Sequence, residues 1–345
     1  MTTKQDCILI TGGYGFIGSH LIEQMHHQEP GTMILNMDCL TYAGKRANLA
    51  ALQVPERVIN LEIDISDAIA VAKIFKRYPI SGVIHLAAES HVDNSLHDPG
   101  LFVRTNVIGS HNLLHQAYTS WMNGPHDAKP GCEKNRYVQV STDEVYGSLG
   151  PTEFFTETSP YAPNSPYSAT KASADLIVRS YHQSYGLNTG ITCCVNNYGP
   201  RQHHEKLIPH MISKALAGQP LPIYGDGQQV RDWLHVSDHC RAIELVYRQG
   251  APGRTYNIGA RSESTNLDLV IRICEILDQK KPDPRGRSYK ELITFVKDRP
   301  GHDRRYATNA DRMRTELGWQ PLIDQHKGLE QTVQWYCAQI LSSQL

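Results

Sequence analysis

Six short apolar runs, each followed by a longer segment of different texture, most constrain what this chain can become. They are CILIT (7–11), MILNMD (33–38), VINLEID (58–64), GVIHLAA (82–88), YVQVST (137–142) and ITCCVN (191–196). Their apolarity is continuous rather than alternating, which suits strands buried on both faces, and helix-like segments between them supply right-handed crossovers. The pattern predicts an α/β fold, a Rossmann-like doubly wound parallel sheet. Two helices are most legible, one near 107–121 and one over Pro166 to Tyr185, the second opened by Pro-Asn-Ser-Pro. Both carry apolar residues on more than one face, which fits burial against the sheet or a helix-on-helix dimer seam. The Gly-, Pro- and charge-rich MNGPHDAKPGCEKNR (122–136) reads as a surface loop.

After Asn197 the texture changes. Pro200, Pro209, Pro220 and Pro222 come in quick succession, and the helical segments at 267–279 and 326–341 read as peripheral. We expect residues 1–198 to form the sheet domain, with 234–260 rejoining it. Residues 199–233 and 261–345 are then a smaller C-terminal substrate-binding lobe.

Lys plus Arg 34 against Asp plus Glu 35 leaves a formal net charge of -1, so no basic face argues for nucleic acid. No apolar run approaches membrane-spanning length, and Met1 to Asp6 lack a signal-peptide pattern. The eight cysteines are scattered without a C-x-x-C pair, so reduced thiols in a cytoplasmic protein are expected.

The first run leads into TGGYGFIGSHL, with Gly12, Gly15 and Gly18 three apart before an apolar helix start. Such a loop lets backbone N–H groups and a helix N-terminus approach a pyrophosphate. A strand-to-helix turn needs some glycine whatever its function, but this one has company. Asp38 ends the second run 20 residues after Gly18, where a carboxylate accepts from both hydroxyls of an adenine ribose and repels a 2′-phosphate. NAD is therefore the expected cofactor. Asp64 and Ile65 follow the third run, where an adenine edge would lie, and Leu86 to Ser90 follow the fourth, near the cofactor's middle. Without the glycine loop, ordinary polar capping of strand ends would be the preferred reading of each.

Tyr167 and Lys171 stand four apart in YSATK, so both project from one helix face. An ammonium beside a phenol stabilises the phenolate and makes the tyrosine a usable base. Alone, the spacing also describes a solvated helix pair. With the glycine loop upstream and Thr142 at the end of the fifth run, it becomes a hydride-transfer site. Directly after Thr142 come two acids, Asp143 and Glu144.

Here the chain resembles the extended short-chain dehydrogenase/reductase family over nearly its whole length. LTYAG (40–44), AAESHVD (87–93), STDEVYG (141–147), SPYSATKASAD (165–175), NNYG (196–199), EKLIP (205–209), LPIYGDG (221–227), RDWLHVSDH (231–239), YNIG (256–259) and DRPGHDRRYA (298–307) narrow it to the nucleotide-sugar 4,6-dehydratases. The resemblance implies dTDP-glucose as substrate, with C4 oxidised by NAD, Glu144 as the C5 base and protonated Asp143 as the acid that releases the C6 hydroxyl. It implies that the hydride returns to C6, so that NAD stays bound. To the cofactor site it assigns Phe16, Ile17, Cys39, Leu40, Thr41, Ala87, Ala88, Thr105 and Asn197 besides the residues above. To the nucleotide sugar it assigns Ser90, Thr142, Asn196, Lys206, Leu207, Pro222, Tyr224, Asn266 and the segment Asp298 to His302.

A diphosphate needs cationic donors, and Arg231 with Arg299, Arg304 and Arg305 offers them. Arg201-Gln202-His203-His204 stands where the family more often shows an aromatic-rich stretch, which leaves thymidine, uridine and other nucleotides open. No further ligands at metal spacing accompany the two histidines, so a loop lining the nucleotide cleft is expected and no metal. A homodimer through the helices at 107–121 and 166–185 is implied by the way relatives pair. The nearest alternative is a nucleotide-sugar 4-epimerase, which needs Tyr167 and Lys171 but no acid pair. A second is an NAD-sensing protein without turnover, in which some of these groups would have been lost.

Overall fold

The computed structural model describes residues 7–52, 55–298 and 303–342. Along the chain, β1 (Cys7–Thr11), α1 (Phe16–Gln28), β2 (Met33–Asp38), β3 (Val58–Glu62), α2 (Ala68–Arg77) and β4 (Gly82–His85) come first. Two short helices, α3 (Val92–His97) and α4 (Pro99–Phe102), run through a π-helical turn, Val103–Gly109, into α5 (Ser110–Trp121). A hairpin, β5 (Met122–Gly124) with β6 (Asp127–Ala128), then precedes β7 (Arg136–Thr142), a 3-10 turn at Asp143–Tyr146, α6 (Pro166–Tyr185) and β8 (Thr189–Cys194). The hairpin replaces part of the loop expected over 122–136; Gly124 and the positive φ of His126 (59°) let the chain reverse tightly there.

The later chain supplies β9 (Asn196–Tyr198), α7 (Leu207–Leu216), β10 (Leu221–Tyr224), β11 (Val230–His235), α8 (Val236–Gln249), β12 (Arg254–Ile258), β13 (Glu263–Thr265), α9 (Asn266–Lys280), β14 (Ile293–Val296), α10 (Asp311–Leu317) and α11 (Gln325–Ser342).

Seven strands pair in parallel in the order β12-β8-β7-β4-β1-β2-β3. The strand order reverses between β1 and β4, and in such sheets the crevice at the carboxyl ends there receives the ligand. Alternate residues of β1 serve opposite faces. Cys7 and Leu9 pack with Leu113, Ala117 and Val178 of α5 and α6, whereas Ile8 and Ile10 pack with Leu21, Ile22, Val236 and Ile243 of α1 and α8. Burial on both faces explains why the strands read as unbroken apolar runs.

Only residues 254–258 of the stretch 234–260 enter this sheet; β11 ends at His235 in a smaller sheet, β13-β11-β9, and α8 lies over the main one. A separate core joins Ile208, Met211 and Ile212 of α7 to Leu269, Ile273 and Leu277 of α9 and Leu329 and Val333 of α11. Asp232 holds these parts in register. Its buried carboxylate accepts from the N–H groups of Ala260 (3.0 Å), Arg261 (3.1 Å) and Ser262 (2.7 Å). Asp232→Ala strands three buried donors and should lower stability by about 3 kcal/mol or more, measured as a shift of the denaturant midpoint.

Candidate active site

At the end of β1, Gly12 adopts φ +73°, and a Cβ there would stand 2.9 Å from the Ala87 backbone. Only glycine lets the two strand ends approach so closely. Thr11 ties them, its hydroxyl accepting from the N–H groups of Leu86 (3.2 Å) and Ala87 (3.1 Å). Gly15 is the N-cap of α1 and gives it no side-chain cap, so the helix's first N–H groups, over Phe16, Ile17 and Gly18, point their partial positive charge at the crevice.

Asp38 ends β2 with its oxygens accepting from Tyr14 N–H (2.9 Å) and Leu40 N–H (2.8 Å), and burial raises its carboxyl above the usual range. Cys39 and Thr41 are exposed beside it, and Leu40 takes φ +52°. Asp64 caps its own turn through Ser66 N–H, and Ile65 is buried with its carbonyl held by Asn112. Asn106, next to Thr105, accepts from Glu89 N–H (2.9 Å) and so fixes the segment after Ala88. Asn197 is held by the Val195 carbonyl, and its own buried side-chain oxygen has no hydrogen-bond partner among the described residues. A cradle that a Cβ would fill, an uncapped helix start and a buried amide oxygen without a partner among the described residues together fit a dinucleotide.

The reactive groups come from β7 and α6. Ser165 and Ser168 form a reciprocal capping box and Pro166 occupies the first turn, which fixes where α6 begins. Three consecutive residues of β7 then meet three successive turns of α6. The Lys171 ammonium donates to the Val140 carbonyl (2.6 Å), Ser141 donates to Asp175 (2.5 Å), and Thr142 is hydrogen-bonded to Tyr167.

Directly beyond, the 3-10 turn carries the acids. Thr142 donates to Asp143 (3.4 Å) and accepts from Glu144 N–H (3.3 Å). Asp143 is only 2% exposed and one of its oxygens has no partner in the described residues. Burial first and Glu144 second push its carboxyl well above the usual range, against the pull of Arg231. Both causes favour the protonated form of the acid. Burial and then Glu144 also push the Tyr167 phenol up, and its bond with Thr142 opposes them. Burial pushes Lys171 down, with Asp175 opposing.

On the opposite wall, Lys206 donates to the Ser90 carbonyl (3.0 Å), joining the segment after β4 to the start of α7 at Leu207. Pro222 and Tyr224 lie on β10; Asp298 accepts from Gln229 (3.0 Å), whose carbonyl accepts from Asn266 N–H (3.0 Å). Asn196 pairs with Trp233 of β11. Arg299 and His302 lie outside the described residues.

The arginines divide. Arg231 stacks over Tyr306 (4.3 Å), donates to the carbonyls of Val230 (2.7 Å) and Asp303 (2.8 Å), and acts electrostatically on Asp143. Arg305 is drawn away from the cleft by a carboxylate and two carbonyls, donating to Glu263, Gly150 and Glu153, while Arg304 pairs with Asp226 at the surface. His203 packs against His204 and Tyr42 and faces Glu205 at 3.5 Å.

Sequence reasoning missed Tyr306, which feels the charge of Glu144, and Asp175. Both sat in plain view, in DRRYA and SATKASAD; the four-residue step from Lys171 to Asp175 was the available signal.

A doubly wound sheet with a glycine cradle at its switch point, and Tyr-x-x-x-Lys beside the next strand end, defines an extended short-chain dehydrogenase/reductase. Within that class the chain belongs to the family described as GDP-mannose 4,6 dehydratase, whose profile matches residues 9–332. It is 48% identical over 328 residues to the dTDP-glucose 4,6-dehydratase of Xanthomonas campestris pv. campestris (strain B100), covering 95% of this chain and 92% of that protein. It is 47% identical over 338 residues to dTDP-glucose 4,6-dehydratase 1 of Escherichia coli (strain K12), covering 95% and 92%. Among solved structures it superposes with TM-score 0.86 and 42% identity on DesIV, a dTDP-glucose 4,6-dehydratase from Streptomyces venezuelae with NAD and TYD bound, covering 96% and 97%. A UDP-glucose 4-epimerase from Thermotoga maritima shares the fold at TM-score 0.84 and 28% identity, covering 97% and 99%.

Gly12→Ala puts a methyl group against Ala87 at a backbone angle that alanine avoids. The purified variant should carry little or no NAD, read from the absorbance of the nucleotide released on denaturation.

Proposed function

We propose that this chain removes water from dTDP-glucose, giving dTDP-4-keto-6-deoxyglucose. The observation that carries this reading is the buried Asp143 carboxyl, pushed toward its protonated form by burial and Glu144, at the strand end that also presents Thr142. A 4-epimerase needs no such pair. The glycine cradle, Asp38 and Lys171 would hold NAD, which would supply the redox half as hydride acceptor for C4 and hydride donor for C6. Tyr167 takes the C4 hydroxyl proton, its phenolate favoured by the Thr142 hydroxyl and by the ammonium of Lys171 one helical turn along α6. The C4 ketone acidifies the C5 hydrogen, which Glu144 removes. Asp143 gives its proton to the departing C6 hydroxyl, and water leaves. Glu144 finally returns a proton to C5.

We further propose that Ser90, Asn196, Lys206, Leu207, Pro222, Tyr224, Arg231, Asn266 and the segment Asp298 to His302 hold the nucleotide sugar, in the lobe formed by 199–233 and 261–345. We place the protein in the cytoplasm, a reading supported by eight free cysteines. No helix among the described residues is long and apolar enough to cross a membrane. The working form is a homodimer through α5 and α6, for which the exposed Leu176 of α6, and Ile108 just before α5, are suitable anchors.

Purified protein given dTDP-glucose should develop the alkaline absorbance of a 4-keto sugar. Absence of keto product from both dTDP-glucose and its UDP counterpart, with NAD bound, would sink the reading. Glu144→Gln should lower turnover by about 10²- to 10⁴-fold while C4 oxidation persists. Leu176→Glu should convert the dimer to monomer in light scattering.

A further inference from the structure

Tyr167, Lys171 and Asp175 follow one another at four-residue steps along α6, so they stack on one face. The proposed reaction uses the first two. Asp175 is fully buried, accepts from Ser141 (2.5 Å) and Tyr161 (3.2 Å), and has a second oxygen without a hydrogen-bond partner among the described residues. A carboxylate so placed is costly to ionise unless a cation shares its surroundings. That cation is Lys171, itself buried one helical turn away.

The neighbours of both groups leave this pairing without a rival. On Lys171 act Asp175, the Cys193 thiol of β8, which burial keeps protonated, and His85 of β4. His85 is held neutral, its value driven down to about 3 by burial, between the hydroxyls of Thr11 (2.7 Å) and Ser110 (2.8 Å). On Asp175 act Lys171, Ser141 and Tyr161, all favouring its anion against burial, which raises it to about 6. Its charge is felt in turn by the Tyr137 and Tyr146 phenols, which burial pushes up, and by Tyr167. Among the described residues that act on it, Asp175 does most to keep the ammonium charged, with the Val140 carbonyl (2.6 Å) as its acceptor.

Resting on the dehydratase reading, we propose that Asp175 is a positioning residue of the oxidation step. It maintains the charge of Lys171 inside the core and, through Ser141, tethers the strand end that carries Thr142.

The signs follow. Burial lowers the lysine's pKa and Asp175 raises it, so removing the carboxylate makes Lys171 lose its proton at lower pH. The bond from Ser141 lowers the pKa of Asp175, so removing that hydroxyl makes Asp175 take up a proton at higher pH. The test is kcat against pH on NAD-loaded parent, Asp175→Asn and Ser141→Ala proteins with dTDP-glucose. Folding is followed by thermal melting and bound NAD.

In Asp175→Asn the alkaline fall in kcat should move down by about one pH unit or more, with KM less affected than kcat. In Ser141→Ala the acid fall should move up. Folded variants whose limbs coincide with those of a working parent would overturn this proposal alone. If Asp175→Asn does not fold, the acid limb of Ser141→Ala decides. A parent that makes no keto sugar overturns the dehydratase reading and this proposal with it.

Discussion

The active site depends on how the end of β7 docks against α6. Lys171 to the Val140 carbonyl, Asp175 to Ser141 and Tyr167 to Thr142 are side-chain contacts between an inner strand of the sheet and a 20-residue helix. β7 pairs with β4 as far as Gln139 and with β8 through Thr142, so its end cannot shift without breaking the ladder to β8 and its contacts with α6. The acids that follow Thr142 inherit that rigidity, since Glu144 N–H is bonded to the Thr142 hydroxyl. A reaction that moves protons at C4, C5 and C6 of one sugar ring needs its groups fixed in this way, because small misplacements cost large factors in rate.

One physical cause sets the proton inventory. Burial raises Asp143 and Tyr167 and lowers Lys171, so each is pushed toward its uncharged form. For Asp143 that outcome suits the acid role proposed for it, because an acid catalyst must hold its proton. For Lys171 it is a threat, which Asp175 opposes. The same dry environment therefore serves elimination directly and oxidation only through a compensating charge.

Much of this was legible in the sequence, for physical reasons that differ by region. Strands buried on both faces must be apolar throughout, so all six announced themselves; β3 and β4 were drawn two and three residues too long, and the run at 191–196 began two residues late and ran two past β8. The helix over Pro166 to Tyr185 has the same limits in the structure because Ser165, Pro166 and Gly186 are local signals that act without tertiary help. The hairpin at β5 and β6 was invisible, being two short strands with little apolar content. Arg231 and Arg305 were indistinguishable as cations; only the fold shows that one lies against Tyr306 near Asp143 while the other is engaged by Glu263. Asp175 was passed over because a carboxylate on a helix normally faces water, and nothing local says that this one is interior.

The central claim, that one site oxidises C4, eliminates across C5 and C6, and restores hydrogen at both, is tested most directly by isotope position. With dTDP-glucose deuterated at C4, the product should carry that deuterium at C6, and in mixed labelled and unlabelled substrate it should not cross between molecules. Deuterium recovered at C4 of an epimerised sugar, or lost to solvent, would contradict it.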